Sequence, residues 1–339
     1  MLTLFLLFSF LFPTAIAHPS AKQRVIPFED LYIPPQPQGY TNWQHYDGVY
    51  ASVYYTPKDR ATALHLSQLA SKALPETAQV LGVSTGGHVE IYIAPTQDSF
   101  LAMQPAIPPD WADGTAWPKS GLIFLRSPTI RSGLSSPLEQ VLNHEIAHIL
   151  LGRAFGHRPV PHWLQEGVAQ IVSGEYNSQT METLGWGKIG SGWYSLQEIS
   201  RGFPSNGARA KLAYAESAHF VGFLLETYGV YTLQNIIDYM SHGYSFSSAI
   251  QQTTGKSVEQ LDMEWREDPQ LSLLWLKPLT SDTTILAIFA ILFMGAVVRT
   301  TLKKRVDMQQ WEEDEQIQEA LAKMLQSWDP TPRQAWVVE

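Results

Sequence analysis

The run His144-Glu145-Ile146-Ala147-His148 sets two imidazoles four residues apart with a carboxylate beside the first. On a helix, positions i and i+4 share one face, so both rings can reach a single cation. Glu145 then leans over the coordination position that the rings leave open, where it can take a proton from an activated water. Val141, Leu142 and Asn143 before the motif, and Ile149 and Leu150 after it, carry no charge. The helix is therefore expected to be buried except where its ligating groups face a metal, because buried imidazoles and carboxylates need partners.

A catalytic zinc usually takes three protein ligands and keeps a fourth position open. Glu166 is the expected third ligand. It stands in His162-Trp163-Leu164-Gln165-Glu166-Gly167-Val168-Ala169, where small and apolar neighbours place it on a second buried helix. An acid in that setting is costly unless paired or ligated. The plainer alternative is a carboxylate near a helix N-terminus, favoured by the dipole. His157 and His162 compete for the same ligand place. A third histidine in His-x-x-Gly-x-x-His spacing would fall at position 154, which is Ala154.

The chain has 339 residues, 45% hydrophobic and 16% charged, enough for a packed core with appendages. It contains no cysteine, so disulfides, thiolate metal sites and a cysteine nucleophile are excluded together. Any metal must be held by His, Asp or Glu. The net charge of −9 removes the general electrostatic case for nucleic acid, and no nucleic-acid partner is expected.

The elements that must position the motif read as strands first and helices afterwards, an α+β pattern. Residues 49–55 and 89–93 and the run Gly121 to Leu125 read as strands, the second half-buried. Residues 59–81 have helical periodicity, with Leu64, Leu69, Leu74 and Leu81 among the apolar positions and Gly82 as the stop. A Gly-rich stretch from Gly185 to Gly192 interrupts the later helices, and Trp111, Trp117, Trp186 and Trp193 fall near glycines in loops.

Both ends read as membrane traffic. Leu2 to Phe12 is almost wholly apolar and leads to Ala15-Ile16-Ala17, the pattern of a signal peptide over residues 1–17. A Pro-rich lead-in follows over residues 18–40, then a globular domain over 41–270 and a linker over 271–282. Thr283 to Val298 is uncharged, and with Arg299 snorkelling the span extends over residues 283–302, a single transmembrane helix. Arg299, Lys303, Lys304 and Arg305 place the following side in the cytoplasm and the large domain outside. The tail, 303–339, carries Trp311, Ile317, Leu321, Met324, Leu325 and Trp328 and reads as an amphipathic segment for a partner helix, or as a merely solvated one.

His144-Glu-x-x-His148 followed by Trp163-Leu-x-Glu166-Gly167 resembles the gluzincin metallopeptidases, the peptidase MA-like group with a thermolysin-type catalytic core. The resemblance implies a zincin-like domain in which His144, His148 and Glu166 hold one zinc ion per chain and Glu145 is the general base. It implies a peptide or protein substrate, bound by β-augmentation along the strand Gly121 to Leu125 as a sheet edge. It also places a tyrosine at the start of a later helix as oxyanion donor, which makes Tyr214 the candidate, with His219 and Tyr194 behind it. Where thermolysin-like members carry an acid to orient a ligand histidine, this chain has Gln170. Two other classes stand beside the peptidase: a non-catalytic zinc-stabilised binding or signalling module, against which the intact Glu145 counts, and a hydrolase of a non-peptide amide in the cell envelope.

Overall fold

A computed structural model describes residues 32–36, 43–132, 136–190, 192–280 and 282–326. The expected signal peptide, most of the Pro-rich lead-in and the end of the tail, Trp328 included, lie outside the described residues. The chain divides into two units, residues 1–272 and 273–339.

The first unit is built on a five-stranded sheet of β1 (Gln44–Asp47), β2 (Ala51–Tyr55), β3 (Val89–Ala94), β4 (Gly114–Trp117) and β5 (Leu122–Arg126) in the order β1-β2-β3-β5-β4. β2, β3 and β5 run parallel, and β1 and β4 pair antiparallel at the two edges. The parallel pair β2–β3 needs a crossover, supplied by α1 (Arg60–Leu81). α1 ends at Gly82, whose N–H bonds the carbonyls of Ala78 and Gln79. Its buried face runs through Ala63, Leu66, Ala70, Leu74, Ala78 and Leu81, while Leu64, one of the apolar positions of the periodicity, is exposed.

β3 departs from the half-buried expectation. Val89, Ile91 and Ile93 are fully enclosed on one face, and Tyr92 and Ala94 are buried on the other in a cluster with Phe100, Met103 and Phe124. The second face is closed by α2 (Gln97–Ala102), and Tyr32, Trp43 and Tyr54 pack against that cluster. A strand covered on both sides reads as a continuous apolar run.

The helical half follows: α3 (Leu138–Phe155), α4 (His162–Ser173), α5 (Ser178–Ile189), α6 (Gly207–Tyr228), α7 (Thr232–Ser241), α8 (Phe246–Thr254), α9 (Val258–Glu267) and the short α10 (Pro269–Ser272). α5 runs through Gly185 and Gly187, so the Gly-rich stretch breaks the helix only at its end. At Gly187 an added Cβ would sit 2.4 Å from a terminal methyl of Leu212, which would have to shift. Trp163 on α4, wholly buried, meets Phe220 and Phe246 edge-on and ties α4 to α6 and α8. At Gly167 an added Cβ would lie 2.4 Å from the carbonyl oxygen of Ser217, so α4 and α6 touch backbone to backbone one residue beyond Glu166.

The second unit holds a 3-10 turn, Leu274–Thr280, where a linker was expected, and α11 (Asp282–Gln326). α11 carries the apolar span and much of the tail in one continuous helix. Among the described residues it is the one helix long and apolar enough to cross a membrane.

Candidate metal centre

α3 is apolar along most of its length, and its buried side chains include Val141, Leu142, Ile146, Ile149 and Leu150. That burial holds the helix still and fixes which way the remaining face points. From this face His144 and His148 project together, their Nε2 atoms 3.1 Å apart. α4 brings Glu166 to the same point, with Oε2 3.4 Å from His144 Nε2 and 3.5 Å from His148 Nε2. One ligand atom from each of the three residues lies within 4.8 Å of the others. His162, one turn earlier on α4, reaches the other oxygen of Glu166 at 3.6 Å. His157 is exposed and takes no part.

A buried carboxylate facing three imidazoles fits a divalent cation. Two nitrogens and one oxygen converging with an open side are the donor set of a catalytic zinc. A proton on His144 competes with a cation for this place. Burial opposes charge on His144, yet its hydrogen bonds to Glu166 and Glu175 hold its pKa well above the usual imidazole range. Burial likewise pushes Glu166 up, but the charges and hydrogen bonds of His148 and His144 hold it well below the usual carboxylate range. A metal entering here displaces those protons.

The residue that orients His144 is Glu175, and sequence reasoning missed it. Its Oε2 lies 2.9 Å from His144 Nδ1. α4 ends at Gly174 with φ of 79°, a left-handed turn that sends the chain back so that the next residue faces α3. Gln170, expected in this role, donates instead to the backbone carbonyls of Tyr214 and Glu166. A Gly-Glu pair just past a ligand-bearing helix was the available signal.

Glu145 is buried beside the imidazoles, and burial raises its pKa against their pull. It stands at the floor of a cleft of about 1180 Å³ whose lining also includes His144, His148, Glu166, Glu175 and Tyr214. Gly114 of β4 makes room for it: a Cβ there would lie 3.0 Å from the Glu145 carboxylate and 2.7 Å from Val141. Tyr214 is held by the edge of Phe203, ring centroids 4.7 Å apart. Burial, reinforced by the carboxylates of Glu166, Glu145 and Glu175, pushes the Tyr214 phenol well up, so it keeps its proton and remains a donor.

Tyr194 and His219 are absent from this lining. Tyr194 gives its backbone N–H to Glu216, and His219 accepts from Trp265. Trp111 and Trp117 line the cleft, whereas Trp186 lies exposed on α5 and Trp193 stacks on Trp265. The strand expected at the sheet edge, 121–125, is interior. β5 is hydrogen-bonded on both sides, to β3 and β4, and all five of its residues are buried. The edge that borders the cleft is β4, whose residues 114–117 all line it.

A family model of the peptidase MA superfamily matches residues 69–269, more than half of the chain. The chain belongs to the peptidase MA superfamily. The matched region contains α3, α4, α6 and every residue of the cluster above. Two solved structures are similar over part of their length. Native yeast LTA4 hydrolase is 14% identical with a TM-score of 0.41, covering 66% of this chain and 38% of its own. A mutant M1 zinc metallopeptidase from Deinococcus radiodurans is 13% identical with a TM-score of 0.35, covering 67% of this chain and 52% of its own. Both likenesses are distant, and this chain spans about half or less of either protein. Comparison with curated proteins gives no match.

Proposed function

We propose that this superfamily member is a membrane-anchored zinc metallopeptidase that hydrolyses peptide bonds outside the cytoplasm. The observation that carries the reading is the meeting of His144, His148 and Glu166 at the floor of a cleft with Glu145 beside them. These three ligands would hold one zinc ion. Bound there, zinc supplies Lewis acidity toward water and toward the scissile carbonyl.

Glu145 takes the proton of the attacking water and later delivers it to the leaving amine. Tyr214 donates its O–H to the carbonyl oxygen as negative charge builds there. Glu175 fixes the ring of His144, so that Nε2 and not Nδ1 faces the metal. The open edge of β4 offers backbone groups to an extended peptide, which positions the bond over Glu145.

The membrane part rests on α11. Leu286, Phe289, Ile291, Leu292, Phe293 and Met294 are all exposed along it. Such a contiguous apolar surface is costly in water and suits lipid. Arg299, Lys303, Lys304 and Arg305 favour the cytoplasmic side for the rest of α11, where Trp311, Ile317 and Leu321 would offer a partner surface.

The test compares the purified full chain with its Glu145→Gln variant for zinc content and cleavage of a mixed peptide library. About one zinc in each with cleavage by the native chain alone is the expected result. Zinc in both with no cleavage favours a binding module or a non-peptide amide, and no zinc in either removes the site.

A further inference from the structure

The cleft lining is uneven in charge. Its carboxylates are Asp113, Glu145, Glu166 and Glu175. Asp113 lies 3.1 Å from Arg131, Glu175 lies 2.9 Å from His144, and Glu166 faces the imidazoles. Glu145 is the base of the reaction proposed above. Among the described residues, no other lining carboxylate is left to receive a substrate ammonium group.

Among the described residues, Lys211 is the one lysine or arginine of the lining. It is exposed, and it has no ion-pair or hydrogen-bond partner among the described residues. It stands three residues before Tyr214 on α6, so the two side chains leave the same helix face with Cβ atoms about 5–6 Å apart. An extended peptide advances about 3.3 Å per residue. The ammonium therefore falls within one or two residues of the bond whose carbonyl meets Tyr214. At the β4 end the cleft is bordered by exposed Ile107 and Trp111, which offer no countercharge.

We propose that Lys211 is a specificity-determining residue, selecting peptides that carry a carboxylate within two residues of the cleaved bond. This rests on the peptidase reading. The carboxylate is either an Asp or Glu side chain or the peptide's own C-terminus.

Binding is measured on the zinc-loaded full chain carrying Glu145→Gln. The probes are fluorescent peptides of fixed sequence in which one position at a time is Glu, Gln or Lys, each made as C-terminal acid and as amide. At one position Glu should bind about fivefold tighter than Gln, the size of a partly solvated ion pair. Lys211→Ala should close that gap, and Lys211→Glu should favour Lys over Glu. Both substitutions fall on an exposed helical position, so the fold is retained. A preference carried by acid over amide assigns the carboxylate to the C-terminus; one that survives amidation assigns it to the side chain. An unchanged gap in Lys211→Ala, or no carboxylate preference at all, overturns the proposal. Cleavage is scored separately with Glu145 intact. Lys211-dependent selection without cleavage removes the peptidase reading alone, and cleavage with selection indifferent to Lys211 removes this proposal alone.

Discussion

His144 is held from both sides: Nδ1 lies 2.9 Å from Glu175, while Nε2 faces Glu166 at 3.4 Å. One ring nitrogen is thus committed to a carboxylate and the other is left for the metal. Removing the partner of a ligating histidine typically costs 10–100-fold in metal affinity. Glu175→Ala should weaken zinc binding by about that factor with native circular dichroism, and Glu175→Gln by less, because the amide oxygen still accepts. Competition with a chromophoric chelator measures it, and equal affinity in all three proteins would refute the role.

Gly114 leaves no room for a side chain against Glu145 and Val141. Gly114→Val should push the Glu145 carboxylate aside or lift β4 from α3. Turnover is expected to fall by about 100-fold, the lower end for a lost general base, while zinc stoichiometry stays unchanged. Loss of zinc together with activity would mean that the whole cluster had moved.

The proposed metal ligands come from two helices, so a cation bound only by the folded chain would stabilise it by mass action. At a free metal concentration 1,000 times Kd this amounts to about 4.1 kcal/mol. Stripping the metal should lower the unfolding temperature of the native chain, and Glu166→Ala should show a much smaller response to chelator.

Glu216 gives a pH dependence that can be separated from the metal. Burial pushes its carboxyl up to about 8, against the Tyr194 N–H and the charge of Arg266, with Asp262 and Glu198 adding to the rise. The folded form therefore holds a proton that the unfolded chain releases near 4.5. This carboxyl costs nothing below pH 4.5, and its burden grows as pH rises to about 8. Glu216→Gln keeps an acceptor for Tyr194 and carries no charge. Its unfolding temperature should match that of the native chain near pH 4.5 and exceed it by several degrees above pH 8. Parallel curves across that range would count against the assignment.

Much of this organisation was legible because it rests on local chemistry. The i, i+4 histidines, the uncharged flanks of α3 and the stop of α1 at Gly82 are each decided within a few residues. What escaped depends on contacts between distant segments. The run Leu122–Leu125 is as apolar as an interior strand should be, but only pairing with residues 114–117 makes it interior, and Gly-Thr-Ala-Trp has no strand signature of its own. Glu175 is invisible as an orienting group until Gly174 turns the chain toward α3. Gln170 has the right spacing for that role, yet the carbonyl of Tyr214 on α6 takes its donor at 2.9 Å. Leu64 is exposed although it fits the periodicity, because periodicity alone does not choose between two adjacent helical faces.

The contact of Gly167 with the carbonyl of Ser217 bears on how errors propagate through the molecule. Where helices meet through side chains, each repacking of the core shifts their spacing by a fraction of a side chain. Here two backbones act as mutual stops, one residue past Glu166 and three past Tyr214. The distance between the proposed metal ligand Glu166 and the proposed oxyanion donor Tyr214 is thereby decoupled from the bulk of the surrounding residues. Mutational drift in the apolar interior can alter stability while the reacting groups keep their alignment.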